Sequence, residues 1–327
     1  SVKDGKIDLA GGSKKVQLEK IFVELKIRGL NKPIDFKLFF DKAGNLGTAA
    51  LQGRAVIFSD GVIDPARIIL DLGFEVKKFD IGPAGELAAG LLPVPEAKGQ
   101  FDGAVTVKVE GIEQINFSSS LRLSSLALSG GLLKTDTPLF DAIALDVDIA
   151  RNNKNVEIKK LEFTAPFASV KGTGSLKDEG GRYPVGAIRI NGQLDIEKLA
   201  SQFPATMRQT NDVKISSGMV RASIGIDSGP AKMVVAADMQ VNKLEAKRGW
   251  RTLSLDKPVQ FTGRITADEK GWTVDKAELN SSFIHGIAQG NLKSMKVSVD
   301  ANLAAVMAEA GKFADMGKFA AEGTFNL

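Results

Sequence analysis

The sequence predicts a mainly β protein: a long, curled antiparallel sheet, or repeating β-groove (half-pipe), with a few short helices between repeat units. Apolar and polar residues alternate with a period of two along most of the 327 residues, which is typical of strands with one apolar face. Turn signals rich in Gly, Asn and Asp separate these runs and indicate about 20 strands in an antiparallel meander. Related stretches also recur along the chain, as in a repeat protein.

Hairpins account for most of the alternating runs. Residues 143–149 alternate, a turn signal of Asn and Lys occupies 152–155, and the alternation resumes at Val156. Residues 220–226 and 233–241 follow the same plan around an Asp-Ser-Gly-Pro turn. Because connections this short join antiparallel neighbours, we expect each run to pair with the next one in the chain.

A glycine-containing stretch occurs more than once in the sequence. One copy includes KGTGSLK, which at first sight suggests a phosphate-binding loop. Residues 162–177, EFTAPFASVKGTGSLK, align without a gap with residues 278–293, ELNSSFIHGIAQGNLK, and a weaker copy spans 47–58. The spacing in KGTGSLK fits neither G-x-x-x-x-G-K-[ST] nor G-x-G-x-x-G, and no helical pattern follows it. We therefore interpret it as a strand whose glycines allow a bulge or a close backbone approach.

Three short helical segments interrupt the strands. Each follows a strand, and the last residues of the three strands are similar in sequence. Their expected positions are 82–92, 196–207 and 303–316. The third has an apolar stripe of Val306, Met307, Ala310 and Phe313. Such a stripe favours packing on a sheet edge, and the alternative is a movable cover or a membrane-facing element.

The helices mark repeat units of about 110 residues. The expected divisions are a partial first β repeat at 1–80, a second repeat at 81–195, a third repeat at 196–302, and the helix and first strand of a truncated further repeat at 303–327. The second and third repeats each open with a short helix. We expect the chain to be a piece of something longer.

Composition excludes several classes of function. The chain has no cysteine, which excludes disulfides, thiolate catalysis and thiolate metal sites. Its net charge of +4 is spread without a basic block, and it has one Tyr and two Trp, so we expect no nucleic-acid partner. No apolar run is long enough to cross a bilayer.

No pattern in the sequence points to an enzyme, a cofactor or a metal. The single histidine, His285, has no second ligand at a metal-binding spacing, and we interpret it as structural. Asp146 and Asp148 lie on one face of a strand, where a carboxylate pair or cation site is the alternative to a solvated outer face. We favour the solvated face because the residues between and beside them are apolar.

The apolar faces of the strands need a cover that three short helices cannot provide. Either the sheet folds onto itself as a sandwich or barrel, or it forms a trough whose lining is covered by a ligand. A lining of Val, Ile, Leu, Phe and Met would suit acyl chains. The candidate lipid-binding residues are Phe36, Leu38, Phe40, Val105, Val107, Ile143, Leu145, Val147, Val220, Ile224, Val235, Met239, Phe261, Ile265, Val297 and Val299.

Three phrases of the sequence, FASVKGTGSLK, NGQLDIEKLASQFP and ISSGMVRASIGIDSG, resemble the AsmA-like superfamily of bacterial envelope proteins. The resemblance covers nearly the whole chain. It implies a β-sheet trough akin to bridge-like lipid transfer proteins, located in the periplasm and held by an inner-membrane anchor outside this sequence. The implied partners are phospholipid or another acyl lipid, the membrane, and envelope proteins.

Two functions follow from the sequence as expectations. The first is a lipid-conducting groove segment that moves phospholipid between the inner and outer membranes. The alternative is a structural or assembly protein of the cell envelope, with closed β-sandwich units that bind protein partners through edge strands.

Overall fold

The computed structural model describes residues 1–11, 14–29, 32–41, 47–59, 61–82, 96–209, 212–255, 257–313, 315 and 323–326. The chain divides into two compact units, unit 1 (Ser1–Pro166) and unit 2 (Phe167–Leu327). Each unit is built on an antiparallel sheet, and the mainly β fold class is confirmed. The boundaries of the sequence repeats stay a prediction.

Unit 1 is a meander in which neighbours in the chain are neighbours in the sheet. Its strands are β1 (Val2–Gly11), β2 (Lys14–Ile27), β3 (Ile34–Asp41), β4 (Thr48–Val56), β5 (Phe58–Ser59), β6 (Val62–Ile63), β7 (Ile69–Asp80), β8 (Glu96–Glu110), β9 (Gln114–Ser129), β10 (Leu139–Asn152) and β11 (Asn155–Ala165). Strands β5 and β6 form a separate hairpin, so β4 pairs with β7. Short 3-10 turns lie at Pro65–Arg67 and Gly131–Leu133.

Unit 2 continues the same plan and adds two helices. Its elements are β12 (Ala168–Lys177), β13 (Val185–Asp195), α1 (Ile196–Gln202), β14 (Val213–Ser228), β15 (Met233–Arg248), β16 (Arg251–Ser254), β17 (Val259–Asp268), β18 (Gly271–Asn280), β19 (Ile284–Asn291), β20 (Ser294–Asn302), α2 (Leu303–Ala310) and β21 (Thr324–Asn326). Strand β15 pairs with both β16 and β17, because β16 covers only its last residues. Among the described residues, no pairing joins the first and last strands of either unit, so neither sheet closes into a barrel.

The predicted hairpins are confirmed. Strands β10 and β11 pair antiparallel, with Asn152 opposite Asn155 at the turn. Strands β14 and β15 pair in the same way, with Ser228 opposite Met233. Period-two alternation and short turns are therefore sufficient to place these strands next to each other.

Bulges at non-glycine residues shift the alternation, and no sequence pattern indicates them. In β7, Lys78 adopts a left-handed conformation with φ of 49° beside a shift in register. The extra residue lets Val76 and Phe79, three positions apart, face the same side of the sheet. Similar φ values occur in four other strands, at Asp4, Lys20, Ser125 and Lys243.

The recurring glycines hold two backbones close together, as the repeat alignment predicts. Gly174 of β12 and Gly290 of β19 have φ of +159° and +132°. An added Cβ would overlap the carbonyl oxygen of Ala187 at Gly174 and that of Ser294 at Gly290. KGTGSLK is therefore the end of a strand, and its Lys177 pairs with Glu179 at 3.0 Å in the turn that follows.

Helices α1 and α2 begin as expected and end earlier than predicted. The carboxylate of Asp195 accepts a hydrogen bond from the Lys198 backbone N–H (3.1 Å), and the side chain of Asn302 caps α2 in the same way. Helix α1 ends before Pro204, which disfavours a helical residue ahead of it. Helix α2 ends at Ala310, and Gly311 caps it. The helix predicted at 82–92 lies, apart from Gly82, outside the described residues.

Candidate functional site

One side of the unit 2 sheet is continuously apolar. We call it apolar face 2: the side that carries Val220, Ile224, Val235, Met239, Phe261, Ile265, Val297 and Val299, together with the residues paired directly opposite them. Directly opposite residues of antiparallel strands point to the same side of a sheet. One row across the sheet contains Ile224, Ala237, Gly263, Ala277, Ala288 and Val297. The structure thus brings all the predicted lining residues of unit 2 onto one face.

Unit 1 has an equivalent surface. Apolar face 1 is the side that carries Phe36, Leu38, Phe40, Val105, Val107, Ile143, Leu145 and Val147, together with the residues paired directly opposite them. One row runs Leu38, Leu51, Phe74, Val105, Ser119 and Val147. Ser119 is the one polar side chain in this row. All the predicted lining residues of unit 1 therefore also share a face, and lipid binding by either set stays a prediction.

The predicted lining residues are not covered by the described part of the protein. None of them is buried, and each is half-buried or exposed. Ile224 is 43% exposed, Met239 38% and Val297 46%. At these positions the described residues do not form the second layer that normally buries a sheet face.

A concavity of ≈ 380 Å³ lies on apolar face 2. Its walls include Val235, Phe261 and Ile265, its floor includes Gly263 and Ala277, and all its lining residues are apolar. The small floor residues make room between larger neighbours. A surface of this composition offers dispersion contacts and no hydrogen bonds.

The candidate lipid-binding residues predicted from the sequence are the large ones, and the small residues that alternate with them were not among the candidates. Phe261 packs over the glycine two positions later: an added Cβ on Gly263 would lie 3.2 Å from the Phe261 ring. Phe101 does the same over Gly103, at 2.8 Å. The shared F-x-G phrase was the available signal, because alternate residues of a strand point to the same side.

The opposite sides of the sheets carry the charges. Arg54 donates a hydrogen bond to Asp35 at 2.8 Å, and this bond holds the pKa of Asp35 below its ordinary value. Lys160 lies 2.8 Å from Asp146, and its hydrogen bond, assisted by Ser120, lowers the pKa of that carboxyl. Ion pairs on a solvated face explain these residues without a ligand.

His285 and Asp146 both lie on the polar sides of the sheets, and their structural roles stay a prediction. His285 lies opposite Asn280 and Asp300, on the polar side of unit 2. Asp146 is engaged by Lys160 on the polar side of unit 1. Within the described residues, no three His, Asp or Glu side chains are grouped as metal ligands would be.

A comparison of the chain with known protein families, curated proteins and solved structures finds no match. In the described part of the chain, no helix combines the length and the apolarity that a membrane crossing requires.

Proposed function

We propose that apolar faces 1 and 2 bind the acyl chains of lipids, and that the protein is a periplasmic, lipid-conducting segment that carries phospholipid between the inner and outer membranes. The observation that carries the proposal is that every predicted lining residue lies on an apolar face and none is buried. The periplasmic location and the transport role rest on the resemblance of the sequence to the AsmA-like superfamily.

The proposed mechanism is passive. An acyl chain lying on an apolar face avoids water, and each buried CH₂ contributes about 0.8 kcal/mol. Rows of Val, Ile, Leu, Ala and Gly give the chain the same surroundings at successive strands, as in the row from Ile224 to Val297. A lipid would therefore meet no strong barrier as it moves from strand to strand, while its polar head group stays in water.

The alternative, a sandwich with a dry core, requires the apolar faces to be covered by protein. The 43% exposure of Ile224 and the 46% exposure of Val297 argue against such a core in unit 2. The absence of polar side chains from the concavity on apolar face 2 also favours a hydrocarbon ligand over a hydrophilic one.

Lipid extraction of the purified protein tests the proposal. Native mass spectrometry of protein purified from a Gram-negative host, without detergent, is expected to show bound phospholipid, and solvent extraction is expected to recover it. Protein that is folded by circular dichroism and carries no lipid, and that takes none up from vesicles, would contradict the proposal.

A pair of variants gives the matched control. Ala237→Glu places a carboxylate in the middle of apolar face 2, and Gln240→Glu places one on the polar side of the same strand. We expect the first to lose bound lipid and the second to retain it. Equal lipid content in the two would mean that lipid binds elsewhere.

A further inference from the structure

The loop between β15 and β16 exposes a tryptophan at its tip. Trp250 is 89% exposed, the highest value of any large apolar side chain in the described residues. Gly249, with φ of +60°, precedes it in the two-residue turn, and the guanidinium of Arg251 lies over its ring, 5.2 Å from the centroid. An indole held in water by a tight turn makes no contribution to a core, and its ring and N–H are available to a partner outside the chain.

Positive charges surround this tryptophan in an arrangement that is unfavourable for the free protein. Lys247 lies directly opposite Lys214, and Arg248 lies directly opposite Arg251. Like charges in directly opposite positions destabilise a sheet. Asp212 pairs with Arg248 at 3.1 Å and offsets only part of this charge. The four cations are all exposed, so an anionic surface could approach them.

We propose that this tip, formed by Lys214, Lys247, Arg248, Trp250 and Arg251, docks on the surface of an anionic lipid bilayer. Tryptophan is enriched at the level of lipid head groups because its ring is apolar and its N–H is polar. Each Lys or Arg close to an anionic bilayer contributes about 1 kcal/mol of attraction. Insertion of Trp250 and neutralisation of the paired cations would occur together.

A bilayer suits this tip better than a nucleic acid does. Proteins that bind single strands stack successive bases on several aromatic side chains, whereas the described residues place one tryptophan here and the second, Trp272, at the start of β18. Docking at the tip is also separate from lipid binding on apolar face 2. Either property can be present without the other, and different residues carry them.

Vesicle co-sedimentation of the protein tests the proposal. Vesicles of phosphatidylcholine and phosphatidylglycerol in equal parts are expected to bind the protein, and vesicles of phosphatidylcholine alone are expected to bind it far more weakly. Binding is also expected to fall as salt is added. The double variant Lys247→Gln/Arg251→Gln is expected to weaken binding about thirtyfold, from the loss of two cations.

Trp250→Ala is expected to weaken vesicle binding severalfold, and Trp272→Ala is its matched control. Trp272 is also partly exposed, at 49%, and lies at a different hairpin. In a Trp272→Phe background, the emission of Trp250 is expected to shift to shorter wavelength when anionic vesicles are added. The charge variant is expected to melt no lower than the wild type, because both substitutions relieve a like-charge pair.

Three outcomes would overturn the proposal. The first is vesicle binding that is unchanged in both the Trp250 and the charge variants. The second is a loss of vesicle binding in Trp272→Ala that is as large as the loss in Trp250→Ala. The third is tight binding of single-stranded DNA that the same variants abolish, together with weak binding of vesicles, which would reassign the tip to nucleic acid.

Discussion

The two sides of the unit 2 sheet differ in where their side chains find partners. On the polar side, Arg189 is paired with Asp227, and Arg264 lies 3.5 Å from Asp275. On apolar face 2, residues such as Ile224 and Met239 contact neighbours along the sheet and remain more than one-third exposed. The same strands carry both sets of residues, at alternate positions.

This difference separates the interactions that stabilise the sheet from the side chains that remain available to a ligand. The backbone ladders between neighbouring strands and the ion pairs of the polar side are complete without a second layer. The predicted lining side chains of apolar face 2 take part in none of these ion pairs. They are therefore free to contact a ligand, and substitutions on the two sides are expected to have different consequences.

The largest effect is expected where backbones approach most closely. Gly174→Val and Gly290→Val each place a β-branched side chain against the facing strand and at an unfavourable positive φ. Each is expected to reduce the free energy of unfolding by more than about 2 kcal/mol, measured by urea denaturation.

Gly192→Val is the matched control for these substitutions. Gly192 lies on the same face, and an added Cβ would be 3.7 Å from its nearest neighbours, which is an ordinary contact. If the substitution at Gly192 reduced the free energy of unfolding as much as the one at Gly174, the close backbone approach would not be the cause of the destabilisation.

A carboxylate on apolar face 2 is expected to remove lipid without unfolding the protein. Ile224→Asp puts the charge at a position that is already 43% exposed, so its desolvation cost is small. The circular dichroism spectrum is expected to stay that of the wild type while bound lipid falls. The same substitution in a closed core would cost several kcal/mol, and unfolding of Ile224→Asp would favour a sandwich.

A small, pH-dependent effect is expected on the polar side of unit 1. The hydrogen bond from Lys160 lowers the pKa of Asp146 from its ordinary value of 3.8. A lowered pKa contributes stability above pH 3.8 that is lost as the pH falls through the folded-state pKa. Asp146→Asn is expected to lower the melting temperature slightly at pH 7, with the difference disappearing in acid. A difference that grows as the pH falls would contradict this assignment.

The smallest effect is expected at Lys177. Its side chain is solvated and paired with Glu179, so Lys177→Ala is expected to change the free energy of unfolding by less than about 0.5 kcal/mol. ATP and inorganic phosphate are expected to cause no thermal shift. A nucleotide-dependent stabilisation that Lys177→Ala removes would return KGTGSLK to the phosphate-loop interpretation.

The strands and the sides of the sheets could be predicted well from the sequence, because alternation and short turns are local signals. Alternation alone places Val220 and Phe261 on a common face, and the register agrees. It could not predict the bulge at Lys243, because a left-handed lysine leaves no compositional trace. Alternation also places Gly263 on this face, but it could not predict the concavity there, which depends on how Phe261 packs. Nor could it predict the charged pairs around Trp250, which depend on strand register.

Site-specific crosslinking to lipid tests the central claim most directly. Because the sequence contains no cysteine, each introduced cysteine is the only thiol that can react. Single cysteines at Ile224, Val235 and Phe261 are to be compared with cysteines at Arg221, Gln240 and Arg264, using a phospholipid with a thiol-reactive group on its acyl chain. We predict crosslinking at the first three positions and little at the second three. Equal crosslinking on both sides of the sheet would contradict lipid binding on apolar face 2.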